Sequence, residues 1–370
     1  MIYFDAGATT LQKPETVARA MYRAVGKLSS PGRGSYPATR AAEETDLQCR
    51  TLAAKLFGVA DPARVVFTSC ATHGLNIAVH TLVKPGGRVI ISGYEHNAVT
   101  RPLHAIPGVE LTVADGPLFD GEEMVRQFAA ALACPADAVI CTHVSNVFGF
   151  RLPVERIAAL CREKGVPFVL DASQSAGMLP VDMDALGAAF IAMPGHKGLY
   201  GPQGTGLLLC ARTPDTLLEG GSGSASRLPD MPPELPDHAE AGTQNVCGIC
   251  GLAAGLRFVQ QQTPQRLLAH EVRQRKLLTS LLTDVPGVRL FTGEPQSGTL
   301  SLCAAQMDCE TLAARLAVKG VCVRAGLHCA PLAHESAGTL ETGTVRFSLS
   351  AFNTEQEIFR TADLLKEILA

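Results

Sequence analysis

An α/β protein, with a large domain around a mostly parallel sheet and a smaller α+β domain, is what this sequence predicts. Three observations carry the prediction. Between about residues 60 and 211, short apolar runs alternate with stretches of helical apolar spacing, the pattern of βαβ units and a sheet covered on both faces. At 370 residues the chain exceeds one typical domain. A stretch rich in Gly, Ser and Pro, residues 219–238, separates this pattern from a different one.

In order along the chain, the sequence predicts seven strands in the large domain, at 65–69, 88–92, 110–114, 138–144, 167–171, 188–192 and 205–211. Helical stretches lie between them, such as 154–163 with Ile157, Leu160 and Cys161 on one side. Residues 219–238 read as an extended loop or hairpin. Helices are then expected at 247–261, 265–282, 309–318 and 355–369, and strands at 288–291, 299–304, 320–324 and 344–350. The domains divide as 15–245 for the large one, and 1–14 with 246–370 for the small one. Ligands of open parallel sheets bind beyond the carboxyl ends of the strands.

Composition narrows the class. Hydrophobic residues make up 46% and charged residues 18% of the chain, which is globular with an ample core. A net charge of −3 and a pI near 6.4 argue against nucleic acid or an anionic membrane surface as partner. The start, Met1-Ile2-Tyr3-Phe4-Asp5, lacks the layout of a signal peptide, and no apolar run approaches a membrane span. The 12 cysteines lack framework spacing, so a reducing cytoplasm is expected. Cys247 and Cys250 form a Cys-x-x-Cys with no second pair to complete a zinc site, and read as a buried helix pair. No Gly-x-Gly-x-x-Gly follows the early strands, which excludes a Rossmann dehydrogenase.

The chemistry concentrates at predicted strand ends. Lys197 lies in Pro194-Gly195-His196-Lys197-Gly198-Leu199-Tyr200-Gly201, and glycines on both sides set it apart from a solvated turn lysine. Asp171, 26 residues earlier, ends another apolar strand. Alone it reads as a helix cap. With Lys197 beyond it, the pair matches what pyridoxal phosphate (PLP) needs: an amine for the Schiff base and an acid for the pyridinium nitrogen. Thr68-Ser69-Cys70-Ala71-Thr72-His73-Gly74 opens a helix, where N–H groups and the dipole suit a phosphate, though Ser and Thr are also ordinary N-caps. His96 could stack on a flat ring or move a proton, and Asn146 could be a turn residue. Cys329, in Arg324-Ala325-Gly326-Leu327-His328-Cys329-Ala330-Pro331, sits near two cationic residue types, the description of an activated thiol; the other eleven cysteines read as buried. Arg346 interrupts an apolar strand, and its fork suits a carboxylate.

These motifs, with Tyr3-Phe4-Asp5-Ala6-Gly7-Ala8-Thr9-Thr10, resemble the class V aminotransferase family over essentially the whole chain. Within it, the Arg-x-Gly-x-His-Cys-Ala loop resembles that of cysteine desulfurases and selenocysteine lyases. The resemblance implies PLP fold type I (aspartate aminotransferase-like) and a homodimer with shared sites. It implies that Lys197 carries the cofactor, Asp171 meets its ring nitrogen, Gln174 its phenolic oxygen and His96 its ring face. Ala71, Thr72 and His196 would hold the phosphate, joined by Gly242 and Thr243 of the neighbouring subunit. Ala8, Asn146, Arg324 and Arg346 would bind substrate, and Cys329 would accept sulfur. Pro194 stands where relatives often have a serine, Gly198 is extra, and Leu327 replaces a second histidine. Ser30-Pro31-Gly32-Arg33-Gly34-Ser35 resembles a less characterised subgroup. The expected activity is conversion of L-cysteine to alanine with a persulfide on Cys329, passed on to a sulfur-acceptor protein. Alternatives are a selenocysteine lyase acting on L-selenocysteine, an aminotransferase or β-lyase that does not use Cys329, and a sulfur-carrier or regulatory protein without turnover.

Overall fold

The computed structural model describes residues 1–32 and 34–370; Arg33, in the segment just quoted, lies outside them. The chain begins with β1 (Ile2–Tyr3), α1 (Glu15–Val25) and α2 (Pro37–Phe57). Strands and helices then alternate: β2 (Val65–Thr68), α3 (Ala71–Leu82), β3 (Arg88–Ser92), α4 (Asn97–Ala105), β4 (Glu110–Ala114), α5 (Gly121–Ala131) and β5 (Ala138–Thr142). They continue through α6 (Val154–Lys164), β6 (Phe168–Asp171), α7 (Met183–Leu186), β7 (Phe190–Pro194) and β8 (Gly206–Cys210). These seven strands form one sheet in the order β2-β8-β7-β6-β5-β3-β4, parallel except that β8 runs against both its neighbours. Strands β5 to β8 are buried along their whole length, as a sheet covered on two faces requires.

Past the irregular stretch the chain forms α8 (Val246–Gln262), α9 (Pro264–Leu282), β9 (Val288–Phe291), β10 (Thr299–Ala304), α10 (Cys309–Val318), β11 (Val321–Cys322) and β12 (Arg324–Gly326). It ends with α11 (Pro331–Ala337), β13 (Thr344–Ser348) and α12 (Glu355–Leu369). β12, β13, β10 and β9 make an antiparallel sheet. The single strand expected at 320–324 is two: β11 pairs with β1, and β12 pairs with β13. Two partners on different sheets demand the break. Ile2 and Phe4 join the core of this second module.

The two long helices after the irregular stretch pack on different cores. Ile249, Leu252 and Leu256 of α8 join the main-sheet core, and Leu278 and Leu282 of α9 the second core. Small residues explain this. A Cβ on Gly255 would stand 2.3 Å from the Leu199 carbonyl, so α8 lies directly against the loop that follows Lys197. No helix among the described residues is long and apolar enough to cross a membrane.

A buried ion pair anchors α2 to the sheet. Arg50 meets Glu240 with two 2.7 Å bonds, Glu240 also accepts the Phe67 N–H at 2.6 Å, and the guanidinium lies 4.0 Å from the Phe67 ring centroid. Removing one partner of such a pair strands the other charge. Glu240→Ala is therefore expected to cost about 3–5 kcal/mol of stability, read from denaturant unfolding; a loss below about 1 kcal/mol would mean that Arg50 finds water instead.

Candidate active site

The parallel strands bring the predicted residues to one edge. The chain leaving β3 delivers His96, that leaving β5 delivers Asn146, β6 ends on Asp171, and β7 leads into Lys197. A cavity of about 90 Å³ there is lined by Lys197, Asp171, Gln174, His96, Asn146 and His196, and by Ala71 and Thr72 at the start of α3.

The lysine loop is tightly held. The Lys197 carbonyl accepts the Tyr200 N–H at 2.9 Å. Gly198 is required where it stands, since a Cβ would lie 2.4 Å from the Ala176 carbonyl oxygen. Lys197 is half-buried, and desolvation pulls its ammonium down to about 8, with Arg346 and Arg324 adding to the effect and Asp171 opposing it. Its amine is thus free of its proton at a far lower pH than an ordinary lysine. In the apo-protein, trapping of a small aldehyde by borohydride at Lys197 is expected to rise to a plateau with a midpoint near 8. A midpoint near 10.5, the ordinary lysine value, would show that burial leaves the amine unperturbed.

Asp171 is buried, and its Oδ1 accepts the Ser173 N–H at 2.8 Å; the segment after it is a run of turns, so it caps no helix. His96 caps α4, its Nδ1 accepting the Ala98 N–H at 3.0 Å. Burial pushes this imidazole down to about 4. At neutral pH it is uncharged, with its proton on Nε2. His196, likewise lowered to about 4 by burial and then by Lys197 and Lys13, lies 3.0 Å from the Thr9 hydroxyl through Nδ1. Gln174 donates to the Gly7 carbonyl at 3.0 Å and keeps a second amide hydrogen.

Arg346 is buried on β13, bonded to Asp5 Oδ1 at 2.6 Å and to the Asn146 carbonyl at 3.0 Å, while its Nε is buried with no partner. Arg324 sits beside it in register. The Asn146 amide donates to the His328 carbonyl at 2.7 Å, which ties the cavity wall to the cysteine loop. Cys329 is exposed between β12 and α11, with φ of +57° after His328 at +50°. Two successive left-handed residues other than glycine are costly. The Cys329 carbonyl accepts the N–H of Asn97, next to His96, at 2.7 Å, so the loop is pinned over the cavity's rim.

The expectations for His328 and for the other cysteines are corrected. His328 is no cation beside the thiol: its ring turns inward to Thr344, and burial keeps it neutral. Cys134 is also exposed, and Cys70, Cys247, Cys250, Cys303 and Cys322 are half-buried, so the other eleven cysteines are not uniformly core. Ala8 lies in a turn and, like Arg324, Arg346 and Cys329, stands outside the lining of the small cavity itself. Gly242 and Thr243, expected at the neighbouring subunit's phosphate, are exposed, and Thr243 lines a separate cleft of about 380 Å³ with Ser69 and His73. Sequence reading missed Asp5 as the partner of Arg346, and Cys70 and Ser173 as cavity walls; an acid ahead of the small-residue run Ala6-Gly7-Ala8 was the available signal.

The residues fit a flat, phosphorylated cofactor. The first turn of α3 has no side-chain cap, which leaves its N–H groups to a phosphate. Lys197 and Asp171 face the same small cavity.

Comparison with known proteins agrees. The model of the family described as Aminotransferase class-V matches residues 2–360. A "Probable cysteine desulfurase" of Methanothermobacter thermautotrophicus is 31% identical, over 99% of this chain and 94% of that protein. A protein of the same name from Mycolicibacterium paratuberculosis is 32% identical over 97% of this chain, which spans 54% of that longer relative. Among solved structures, the apo cysteine desulfurase of Thermococcus onnurineus superposes with a TM-score of 0.90 at 28% identity, covering 100% of this chain and 94% of that one. The Escherichia coli cysteine desulfurase CsdA gives 0.86 at 25%, covering 100% and 95%. The fold is therefore PLP fold type I, and the chain belongs to the class V aminotransferase family.

Proposed function

We propose that this protein is a PLP-dependent cysteine desulfurase that converts L-cysteine to L-alanine and leaves a persulfide on Cys329. The observation that carries the reading is the docking of the Cys329 loop, through Asn97 and Asn146, onto the rim of the cavity shared by Lys197 and Asp171. When bound at Lys197, PLP supplies the electron sink for a carbanion at the substrate's Cα. Asp171 holds the proton on the ring nitrogen, and Ala71, Thr72 and His196 hold the phosphate. Arg346 and Asn146 bind the substrate carboxylate, with Arg324 and Ala8 beside them. Lys197 takes the Cα proton, and neutral His96, which would lie against the ring, assists proton movement through Nε2. The Cys329 thiolate then attacks the substrate sulfur. A sulfur–sulfur bond forms, the Cβ–sulfur bond breaks, and the carbon skeleton takes up the pair with a proton to become alanine. The working form is a cytoplasmic homodimer in which Gly242 and Thr243 reach the partner's phosphate, and a sulfur-acceptor protein discharges Cys329.

The test incubates holoenzyme with L-cysteine and a reductant and quantifies alanine and pyruvate. Alanine is expected, and Cys329→Ala is expected to lose it by roughly 10²-fold or more while keeping its cofactor spectrum. Pyruvate as product, or a variant as fast as the wild type, would replace this reading with a β-lyase.

A further inference from the structure

A second cleft, of about 780 Å³, opens beyond the carboxyl ends of β4 and β5, between the starts of α5 and α6 and the turn at Glu294 and Pro295. It shares no lining residue with the cavity around Lys197. His143 lines it, only 5% exposed, and its Nδ1 is buried with no hydrogen-bond partner. That nitrogen is closed off from the cleft, so a molecule bound there meets the ring at its other nitrogen, Nε2. Burial and the neighbouring Arg151 hold this ring neutral, so it can donate from one nitrogen and accept at the other.

Arg151 lies half-buried beside it and pairs with no carboxylate among the described residues. Most of the acids around the rim have partners, and Arg156, which pairs with Glu122, is a second guanidinium in the lining. Asp120 caps α5 through the Glu123 N–H at 2.9 Å, Glu122 pairs with Arg156, and Glu294 with Lys276 at 3.1 Å and Arg275 at 3.5 Å. Glu155, on the exposed side of α6, is the acid left over. Helix α6, of 11 residues, opens from Pro153 without a side-chain cap; the Val154 N–H is taken by the Leu152 carbonyl at 2.8 Å, and the positive end of the dipole stands at the cleft. Leu118 and Phe119 supply an apolar wall.

We propose that this cleft is a second ligand site, which takes a small organic carboxylate with an apolar body. The Arg151 guanidinium and the start of α6 meet the carboxylate, His143 completes its hydrogen bonding, and the body lies on Leu118 and Phe119. The assignment goes beyond the desulfurase reading and does not depend on it.

Calorimetric titration of the holoenzyme with 3-phenylpropionate tests it, with the cofactor spectrum followed in parallel. Saturable heat is expected from the wild type without change in the cofactor spectrum. Arg151→Met should weaken binding at least roughly tenfold, and His143→Phe should weaken it as well, each variant keeping the wild-type spectrum and melting temperature. Four results would overturn the site: no heat from the wild type, equal binding by Arg151→Met, a cofactor spectrum that tracks the titration, or equal binding of inorganic phosphate. The first two leave no site at Arg151. The third places the probe in the catalytic cavity, and the fourth leaves only a general anion site. Because the readout is heat and not turnover, failure here is separable from failure of the proposed reaction.

Discussion

Lys197→Ala is expected to reduce alanine formation from L-cysteine by roughly 10³-fold or more, with the fold intact. No other lysine lines the cavity with Asp171 and His96, so the variant loses both the covalent anchor for the cofactor and the base at Cα. Two readouts check this apart from turnover. The purified variant should release its cofactor on dialysis, and borohydride trapping followed by peptide mapping should find no modified lysine. Lys13 is the obvious understudy. Burial lowers it to about 8, and its amine bonds the Thr10 hydroxyl at 2.9 Å in the segment that crosses the His196 backbone. If Lys197→Ala keeps turnover within tenfold of the wild type, or Lys13 is the residue trapped in wild-type protein, the assignment of Lys197 fails.

The legible parts of this molecule are those fixed by local pattern. Strands at 88–92 and 110–114 come out with the bounds read from sequence; the first is buried at all but its opening residue, which imposes an apolar run on a short segment. Lys197, Asp171 and His96 were legible for a related reason: each follows an apolar run, and parallel strands deliver their ends to one edge. What sequence could not show depends on pairing between distant segments. Asp5 meets Arg346 across 341 positions, so the acid ahead of the small-residue run could flag a site but not name its partner. The split of 320–324 into β11 and β12 follows from two different partner strands. His328 looked cationic beside Cys329, but the direction of its ring is set by Thr344 on β13, which spacing within the loop does not encode. Helix α8 reads as the start of the second module because it follows the Gly- and Pro-rich stretch. Its Gly255, placed against Leu199, also lets it pack on the main-sheet core.

The Asp5–Arg346 pair also sets the second large effect. Arg346→Met is expected to raise KM for L-cysteine by about 10²-fold, the loss of about 2–3 kcal/mol of charge-assisted hydrogen bonding to the substrate carboxylate. The arginine's terminal nitrogens are held by Asp5 and the Asn146 carbonyl while its Nε is buried and unpartnered, so the side chain is fixed in place. Methionine fills much of the same volume without the charge. Removal of the guanidinium also takes one positive charge from beside Lys197, which should move the aldehyde-trapping midpoint upward from about 8. Asp5→Asn discriminates between binding and mere packing. It keeps a hydrogen-bond acceptor for Arg346 but removes the acid's charge, so it should loosen the arginine and change KM much less than Arg346→Met does. Aldehyde trapping at Lys197 should persist in both variants. An Arg346→Met enzyme with unchanged KM would show that the carboxylate is held elsewhere, and a trapping midpoint that falls instead of rising would contradict the charge arrangement around Lys197.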